Sequence, residues 1–158
     1  MDVKNKRVVV TGAASGIGKA LCEAFHQAKA QSVIAVDMNF DGAQDTADSV
    51  NGIAVQANVG NEKDIINVIE KADEHAGGTD IFCSNAGIGG VPGFFEVGAS
   101  DWQNIWDVNV QSHIFAAKHV LPQMIDRGEG YLVNTSSAAG LLTQLGAAGY
   151  SVTKAAAV

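Results

Sequence analysis

Short apolar runs alternate along the chain with longer stretches in which apolar residues recur every three or four positions. The apolar runs are rich in β-branched residues and predict five strands. These are Arg7–Thr11, Ser32–Asp37, Ile53–Gln56, Asp80–Ser84 and Tyr131–Thr135. The periodic stretches predict amphipathic helices. The first two are Ile17–Lys29 and Phe40–Val50, and the third is capped by Asn61 and ended by Gly77-Gly78. The fourth is a long helix from a Ser100/Gln103 capping box to Arg127, and the fifth starts near Gly149.

The alternation of strands and helices predicts the fold class. Short connections imply right-handed crossovers, and therefore an α/β fold with a doubly wound parallel sheet of the Rossmann type. Strands that are apolar throughout fit a sheet covered by helices on both faces. The last helical pattern reaches Val158 without a stop signal. We therefore expect a single domain over residues 1–158, incomplete at its C-terminus, with five strands visible and the C-terminal strands missing.

Composition and charge narrow the class of protein. The chain is 47% hydrophobic and carries a net charge of −7 without the basic cluster that nucleic acid requires, so no nucleic-acid partner is expected. Cys22 and Cys83 lie in apolar contexts typical of buried thiols, and the histidines lack a metal-binding spacing, so no metal is expected. Because no signal peptide or membrane-length apolar run is present, we expect a cytoplasmic protein with no membrane partner.

A glycine-rich turn joins the first predicted strand to the first predicted helix. It reads Thr11-Gly12-Ala13-Ala14-Ser15-Gly16-Ile17-Gly18. Gly12 permits a tight turn, Gly16 lets a pyrophosphate approach the backbone, and Gly18 lets the helix pack close to the strand. The free N–H groups of the helix N-terminus, around Ser15 and Ile17, favour phosphate. The turn therefore predicts a dinucleotide site.

Asp37 ends the second predicted strand and indicates which dinucleotide is bound. A carboxylate there accepts hydrogen bonds from both ribose hydroxyls of NAD and repels the 2′-phosphate of NADP, so NAD is the expected cofactor. A P-loop is the rival interpretation, since Gly18-Lys19 resembles the end of one. It is rejected because Ala13 and Ala20 stand where a P-loop needs Gly and Ser or Thr.

Tyr150 and Lys154 lie one helical turn apart on the last predicted helix, so their side chains share a face. A cation beside a phenol stabilises phenolate, and the pair therefore predicts a general acid/base. Ser137 follows the fifth predicted strand at the carboxyl edge of the sheet, where it is placed to hydrogen-bond a substrate oxygen. A hydrolase is disfavoured because Ser137 lacks a Gly-x-Ser-x-Gly elbow.

These motifs together resemble the short-chain dehydrogenase/reductase family over the whole chain. The matching residues are Thr11-Gly12-x-x-x-Gly16-x-Gly18, Asn85-Ala86-Gly87, Asn109, Ser137 and Tyr150-x-x-x-Lys154. The resemblance implies an NAD(H)-dependent oxidoreductase that transfers hydride between nicotinamide and an alcohol/carbonyl substrate. Two alternatives stay open: a truncated, catalytically inactive NAD-binding fragment, and a fragment that is unfolded or depends on a partner.

The resemblance also implies a role for each matching residue. Tyr150 would be the proton donor and acceptor, Lys154 would stabilise its phenolate and bind the nicotinamide ribose, and Ser137 would position the substrate. Asn109 would hold a water of the proton relay at a local distortion of its helix. The residues that would pack against the cofactor are Asn85, Ala86 and Gly87.

The sequence departs from the family pattern at two positions and at its end. Asn58-Val59 stands where the family usually has Asp-Val in contact with adenine, and Asn58 keeps hydrogen-bonding groups for that contact. Ser84 stands where the family often has Asn. Family members continue with further strands and a substrate-covering loop, and without them an apolar sheet edge would be open.

Apolar positions add two expectations. The long helix carries more apolar side chains than one sheet face needs. In the family that the chain resembles, this helix commonly pairs with its copy in another subunit. We therefore expect the full-length protein to be a homo-oligomer, either a dimer or a tetramer. Those side chains are Trp102, Ile105, Trp106, Ile114 and Phe115. The small-molecule substrate would be bound by the loop after Gly87, by Leu141–Gly146 and by residues absent from this chain. The two segments present are Gly-rich or apolar and indicate an uncharged substrate.

Overall fold

The computed structural model describes residues 2–158, and over that range it contains five strands and six α-helices. The strands are β1 (Arg7–Thr11), β2 (Ser32–Asp37), β3 (Ile53–Gln56), β4 (Ile81–Ser84) and β5 (Tyr131–Asn134). The helices are α1 (Gly16–Gln27), α2 (Phe40–Ser49), α3 (Glu62–Ala76), α4 (Ala99–Trp106), α5 (Ser112–Arg127) and α6 (Ala148–Ala156). A π-helical turn, Asp107–Gln111, joins α4 to α5, and a 3-10 turn, Ala138–Gly140, precedes α6.

The five strands form one parallel sheet in the order β3-β2-β1-β4-β5. At its centre, Val9 of β1 lies opposite Ile34 of β2 on one side and Phe82 of β4 on the other. The chain winds outward from β1 to β3 and then returns to build β4 and β5. The carboxyl ends of β1 and β4 are therefore the switch point of a doubly wound sheet, where ligands bind. The predicted Rossmann-type fold is confirmed.

Alternate residues of the strands enter two separate cores, which explains why the strands are apolar throughout. Val9 and Phe82 belong to the core beneath α3 and α5. Val10 and Cys83 belong to the core beneath α1 and α2, together with Cys22. Both cysteines are free and buried, and burial raises the pKa of each thiol to about 12. They are therefore inert core thiols, as their apolar contexts predicted.

Several helix boundaries differ from the predicted ones, and two of the differences have a structural cause. α1 ends at Gln27 rather than Lys29, because Lys29 adopts a left-handed conformation with φ 64°. The predicted Ser100/Gln103 capping box is wrong: α4 begins at Ala99, and Asp101 Oδ2 accepts the backbone N–H of Gly98 at 3.0 Å. Two strand ends differ from the prediction by one residue, at the start of β4 and the end of β5.

The long predicted helix is divided by the π-helical turn, and its apolar residues are distributed unevenly. Ile105 is buried, and its side chain fills the space that a Cβ on Gly90 would need. Phe115 packs against the core beneath α3 and α5, whereas Trp106 and Ile114 stay exposed. The helix thus uses Ile105 and Phe115 for core packing and keeps further apolar side chains at its surface. Within residues 2–158, no helix combines the length and apolarity needed to cross a bilayer.

A charged cluster closes the end of the sheet opposite the switch point. The backbone N–H and Nε of Arg7 donate to Asp80 Oδ2 at 2.9 and 2.8 Å. Arg127, at the end of α5, lies 3.6 Å from the same carboxylate. The hydrogen bonds and charge of Arg7 hold the pKa of Asp80 below its usual value. This cluster ties the starts of β1 and β4 to α5.

Candidate active site

The carboxyl ends of the strands open into a groove with two adjoining parts. The larger part is a cavity of about 600 Å³ and the narrower part is a recess of about 190 Å³. Both parts are lined by Gly12, Asp37, Ala86, Gly87 and Ile88. The groove therefore brings together the glycine turn, the end of β2 and the loop after β4. The cavity also contains Ser137, Tyr150 and Lys154.

The glycine turn presents the N-terminus of α1 to the cavity. Ser15 occupies the N-cap position without a side-chain capping bond, so the first N–H groups of the helix are available to an anion. Gly16 has φ 53° and open space where a Cβ would stand. A Cβ on Gly18 would collide with the carbonyl oxygen of Gly12. These features suit a pyrophosphate resting on bare backbone, and the turn therefore fits a dinucleotide.

Asp37 borders both parts of the groove and is held in place by backbone donors. Its Oδ2 accepts the N–H of Ala14 at 3.0 Å, and its Oδ1 accepts the N–H of Asn39 at 3.0 Å. Each carboxylate oxygen has two acceptor sites, so both can still accept a hydroxyl proton. The carboxylate is therefore preoriented for a diol such as the ribose of a nucleotide.

The narrow recess has mainly apolar walls, which include Ala57, Val59 and Val108. Asn58 lies at its edge, but its side-chain oxygen accepts the N–H of Gly60 at 3.0 Å and is thereby used in the local turn. Met38 also lines the recess, which the sequence analysis did not predict. Its position directly after Asp37 was the signal that could have identified it. A flat apolar group such as a purine ring suits this recess better than a charged one.

The loop after β4 is braced by Asn85, whose side chain serves the fold. Asn85 Nδ2 donates to the carbonyl oxygen of Thr11 at 2.9 Å, and its Oδ1 accepts the hydroxyl of Thr135 at 3.1 Å. The Thr11 hydroxyl oxygen in turn accepts the N–H groups of Asn85 and Ala86. The ends of β1, β4 and β5 are thus joined by hydrogen bonds, and Asn85, Ala86 and Gly87 all line the larger cavity.

Asn109 lies in the π-helical turn, so the helix distortion expected at this residue is present. The residue is fully buried. Its Oδ1 accepts the N–H of Ile88, and its Nδ2 donates to the carbonyl oxygen of Ile88, both at 2.9 Å. Nδ2 also donates to the hydroxyl of Thr153 at 3.1 Å. The amide of Asn109 therefore clamps the loop after Gly87, a contact that sequence reasoning missed.

Lys154 is buried beside Tyr150 on α6. Its side chain is 3% exposed, and Nζ donates to the carbonyl oxygen of Thr135 at 2.8 Å. Nζ lies 5.9 Å from the centroid of the Tyr150 ring. Burial lowers the pKa of Lys154. The cation is thus fixed between the phenol and the end of β5, which suits a site that moves a proton at a tyrosine.

Ser137 caps the 3-10 turn before α6. Its Oγ accepts the N–H of Ala139 at 3.2 Å, which leaves the hydroxyl proton free to be donated. Ser137 and Tyr150 both line the larger cavity, and these two hydroxyls can serve one ligand oxygen. The structure therefore brings together every predicted catalytic residue except Asn109, which adjoins the cavity through Ile88.

Two apolar loops meet beside this end of the groove. The N–H of Gly93 donates to the carbonyl oxygen of Gly146 at 2.9 Å, and Gly93 pairs with Ala147, the residue that precedes α6. We call the exposed side chains of these loops the apolar rim; they are Phe94, Phe95, Leu141, Leu142 and Leu145. Both loops follow the carboxyl ends of strands, β4 and β5, so the rim lies at the same edge of the sheet as the groove.

Comparisons with known proteins agree with this geometry. The family model described as short chain dehydrogenase matches residues 6–158. Glucose 1-dehydrogenase 2 of Bacillus subtilis (strain 168) is 34% identical over 143 residues, which are 86% of this chain and 55% of that protein. The 3-oxoacyl-acyl-carrier-protein reductase FabG of Vibrio cholerae is 32% identical over 160 residues, which cover 100% of this chain and 65% of the reductase. The chain therefore spans about half to two thirds of these relatives.

Two solved structures are similar to this one over nearly its whole length. A short chain dehydrogenase/reductase from Burkholderia phymatum, in complex with NAD, matches with a TM-score of 0.94 at 28% identity, over 99% of this chain and 57% of the other. A 7α-hydroxysteroid dehydrogenase complexed with NADH and 7-oxo glycochenodeoxycholic acid matches with a TM-score of 0.92 at 29% identity, over 99% and 63%. With the family model matching almost all of its residues, the chain belongs to the short-chain dehydrogenase family.

Proposed function

We propose that this chain is the cofactor-binding and catalytic part of an oxidoreductase that transfers hydride between NAD(H) and an alcohol/carbonyl substrate. The observation that carries the proposal is the single groove that holds an uncapped helix N-terminus, Asp37 and the Tyr150–Lys154 pair. The structures of relatives in complex with NAD and with NADH support it.

The residues of the groove fit each part of a nicotinamide dinucleotide. The N-terminus of α1 would hold the pyrophosphate, Asp37 the adenosine ribose, and the apolar recess beside Val59 the adenine. Lys154 would hold the nicotinamide ribose. The carboxylate of Asp37 favours NAD over NADP because it would repel a 2′-phosphate. When bound, the cofactor supplies or accepts the hydride.

The protein's own contribution is to position the substrate and move one proton. Ser137 donates a hydrogen bond to the substrate oxygen, and Tyr150 Oη gives a proton to that oxygen or takes one from it. The buried ammonium of Lys154 stabilises the phenolate that forms when Tyr150 gives its proton away. Asn109 holds the loop at Ile88, and a water of the proton relay would lie at its π-helical turn.

The apolar rim supports a substrate class. The segment from Ala138 to Gly149 contains no charged residue. A substrate that carries a phosphate or carboxylate near its reacting carbon would find no counter-charge there. The substrate is therefore an uncharged alcohol or ketone with an apolar body.

The exposed apolar side chains of α4 and α5 support a homo-oligomer. They are Trp106, Ile114, Leu121 and Ile125. Their exposure leaves an apolar stripe of the kind that subunit interfaces cover. Light scattering at increasing protein concentration tests this, and a purely monomeric species at every concentration would contradict it.

A thermal melt of this chain, alone and with excess cofactor, is the experiment that tests the proposal. At about one hundred times its dissociation constant, NADH adds roughly 2.7 kcal/mol to a folded binder. We expect a cooperative melt that NADH raises more than NADPH does. A melt that neither cofactor shifts would overturn the proposal, and the absence of a cooperative transition would identify an unfolded or partner-dependent fragment.

Turnover distinguishes an enzyme from a module that only binds nucleotide. Tyr150→Phe removes one hydroxyl from the groove and leaves the contacts of the ring. In the protein that carries this chain, we expect the variant to bind NADH normally and to lose NAD(H)-dependent turnover with a panel of apolar alcohols. Normal turnover by the variant would contradict the role of Tyr150. NADH binding without any turnover by the unaltered protein would identify the binding module.

A further inference from the structure

Thr153 lies between Tyr150 and Lys154 on α6 but outside the set of residues that line the groove. The residue is fully buried. Its hydroxyl oxygen accepts a hydrogen bond from Asn109 Nδ2 at 3.1 Å. The single proton of this hydroxyl is shared between two acceptors. They are the carbonyl oxygens of Gly149, at 2.8 Å, and of Tyr150, at 3.1 Å. One hydroxyl therefore joins α6 to the π-helical turn.

The connection continues from Asn109 to the wall of the groove. The side-chain amide of Asn109 is bound through both of its polar atoms to the backbone of Ile88, and Ile88 lines both parts of the groove. A continuous series of hydrogen bonds thus runs from Ile88 through Asn109 and Thr153 to the first turn of α6. The two bonds to Ile88 and the bond to Thr153 together hold the Asn109 amide. A buried amide N–H that loses its acceptor is costly, so the hydroxyl of Thr153 stabilises the orientation in which Asn109 binds Ile88.

We propose that Thr153 is a positioning residue, which acts through Asn109 to hold Tyr150 and Lys154 in register with the Ile88 loop. The assignment of Tyr150 and Lys154 as the reacting groups rests on the proposed function above. The mechanical link between Thr153 and Ile88 is independent of it. A residue of the same shape without a hydroxyl would fit α6 but would break the link.

Hydrogen exchange measures the link in the chain as it is, without cofactor. Thr153→Val removes the hydroxyl at nearly constant volume, and Thr153→Ser retains it. We expect the Ile88 amide to exchange about tenfold faster in T153V, the factor that corresponds to about 1.4 kcal/mol, and T153S to stay within about threefold of the unaltered chain. If T153V does not fold, T153A carries the same test with a smaller side chain.

Thr46→Val is the matched control. Thr46 is also a fully buried threonine. Its hydroxyl proton is shared between the carbonyl oxygens of Gly42, one turn earlier at 3.1 Å, and of Ala13, at 2.9 Å. T46V therefore measures the general loss of stability that follows from deleting such a hydroxyl. We expect it to leave the exchange of Ile88 relative to its neighbours unchanged.

The NMR signals of the Tyr150 ring measure whether the link from Thr153 to Ile88 affects the groove. The chain has two tyrosines, and Tyr131 on β5 serves as the internal reference in a sample with ¹³C-labelled tyrosine. On addition of NADH, we expect the Tyr150 ring signals to shift in the unaltered chain and in T153S, and to lose at least about half of that shift in T153V at similar NADH affinity.

The outcomes separate the two proposals. If Ile88 exchange and the Tyr150 response in T153V both equal those of the unaltered chain, or if T46V has the same effects as T153V, the positioning role is overturned. If the unaltered chain shows no Tyr150 response and no NADH-dependent melt, the proposed function fails, whereas the Ile88 result still decides the link to Thr153.

Discussion

The Nζ atom of Lys154 donates a 2.8 Å hydrogen bond to the carbonyl oxygen of Thr135, and this bond ties α6 to the end of β5. This hydrogen bond fixes the position of the ammonium group. Burial of the group lowers its pKa. Its location 5.9 Å from the centroid of the Tyr150 ring makes the charge available to that side chain. Burying this charge lowers the free energy of unfolding but places a cation in the groove. Such a buried charge is typical of functional sites.

Lys154→Met tests the cost of burying this charge through the pH dependence of stability. The folded-state pKa of Lys154 is lowered, whereas the unfolded chain keeps a value of about 10.4. Between these values the unfolded state binds more protons, so this group makes stability rise with pH. We expect urea unfolding to show that rise in the unaltered chain and to lack it in K154M. Lys63→Met, at an exposed position, is the control, and an identical rise in K154M would count against the argument.

Asp37→Ser tests the choice of cofactor. The substitution removes the charge that opposes a 2′-phosphate and the acceptors for a ribose diol. We expect NADH binding to weaken by about tenfold or more, and NADPH binding to strengthen relative to it. The shift of the melt with each cofactor measures both effects. Asp45→Asn removes a charge from an exposed position of α2 and should change neither; an unchanged preference in D37S would refute the role of Asp37.

Asp80→Asn tests the charged cluster at the opposite end of the sheet. Arg7 holds the folded-state pKa of Asp80 below its usual value. The contribution of Asp80 to the free energy of unfolding is therefore present above about pH 3.9, and it is lost as the pH falls through the lowered pKa. At neutral pH we expect D80N to lose about 2 kcal/mol of unfolding free energy, because Arg7 keeps a partly buried charge without its partner.

Acid unfolding provides the second measurement of the same cluster. The stability of D80N should depend less steeply on pH below about 4 than that of the unaltered chain. Glu74→Gln breaks an exposed ion pair with Lys71 on α3 and should leave the urea midpoint at neutral pH unchanged. Equal stability of D80N and the unaltered chain at neutral pH would show that the cluster is not stabilising.

Leu145→Gln and Phe95→Ser test the apolar rim. These side chains are 97% and 94% exposed, so replacing them should change the urea midpoint very little. We expect saturation-transfer NMR with 2-decalone, in the presence of NAD, to show weaker contact in both variants while the NAD-induced melt shift is retained. Equal contact in the variants would mean that the rim does not meet the substrate.

Local sequence was sufficient for the sheet and for the glycine turn. The strands could be predicted because each is an uninterrupted apolar run, and burial on both faces demands such runs. The turn from Gly12 to Gly18 could be predicted because its conformation and its close backbone contacts depend on residues only a few positions apart. Asp37 and the Tyr150–Lys154 pair follow directly from the ends and periods of these elements.

Contacts between distant segments could not be read from local patterns. An asparagine such as Asn58 or Asn85 carries the same groups whether it meets a ligand or a backbone, and only the fold shows that Asn85 braces three strands. The Ser100/Gln103 pattern was equally ambiguous, because Asp101 competes for the same role and the chain geometry at Gly98 decides between them.

The sequence by itself therefore determined the order of the elements, the doubly wound sheet and the residues with chemistry to offer. The tertiary structure decided which of these residues meet, and through which intermediates. The side chain of Ile105 packs against Gly90, where a Cβ would collide with it, and Thr153 reaches Ile88 through Asn109. The reason is physical: periodicity records which face of an element is buried, whereas a hydrogen bond across the fold depends on the relative placement of elements that the sequence separates.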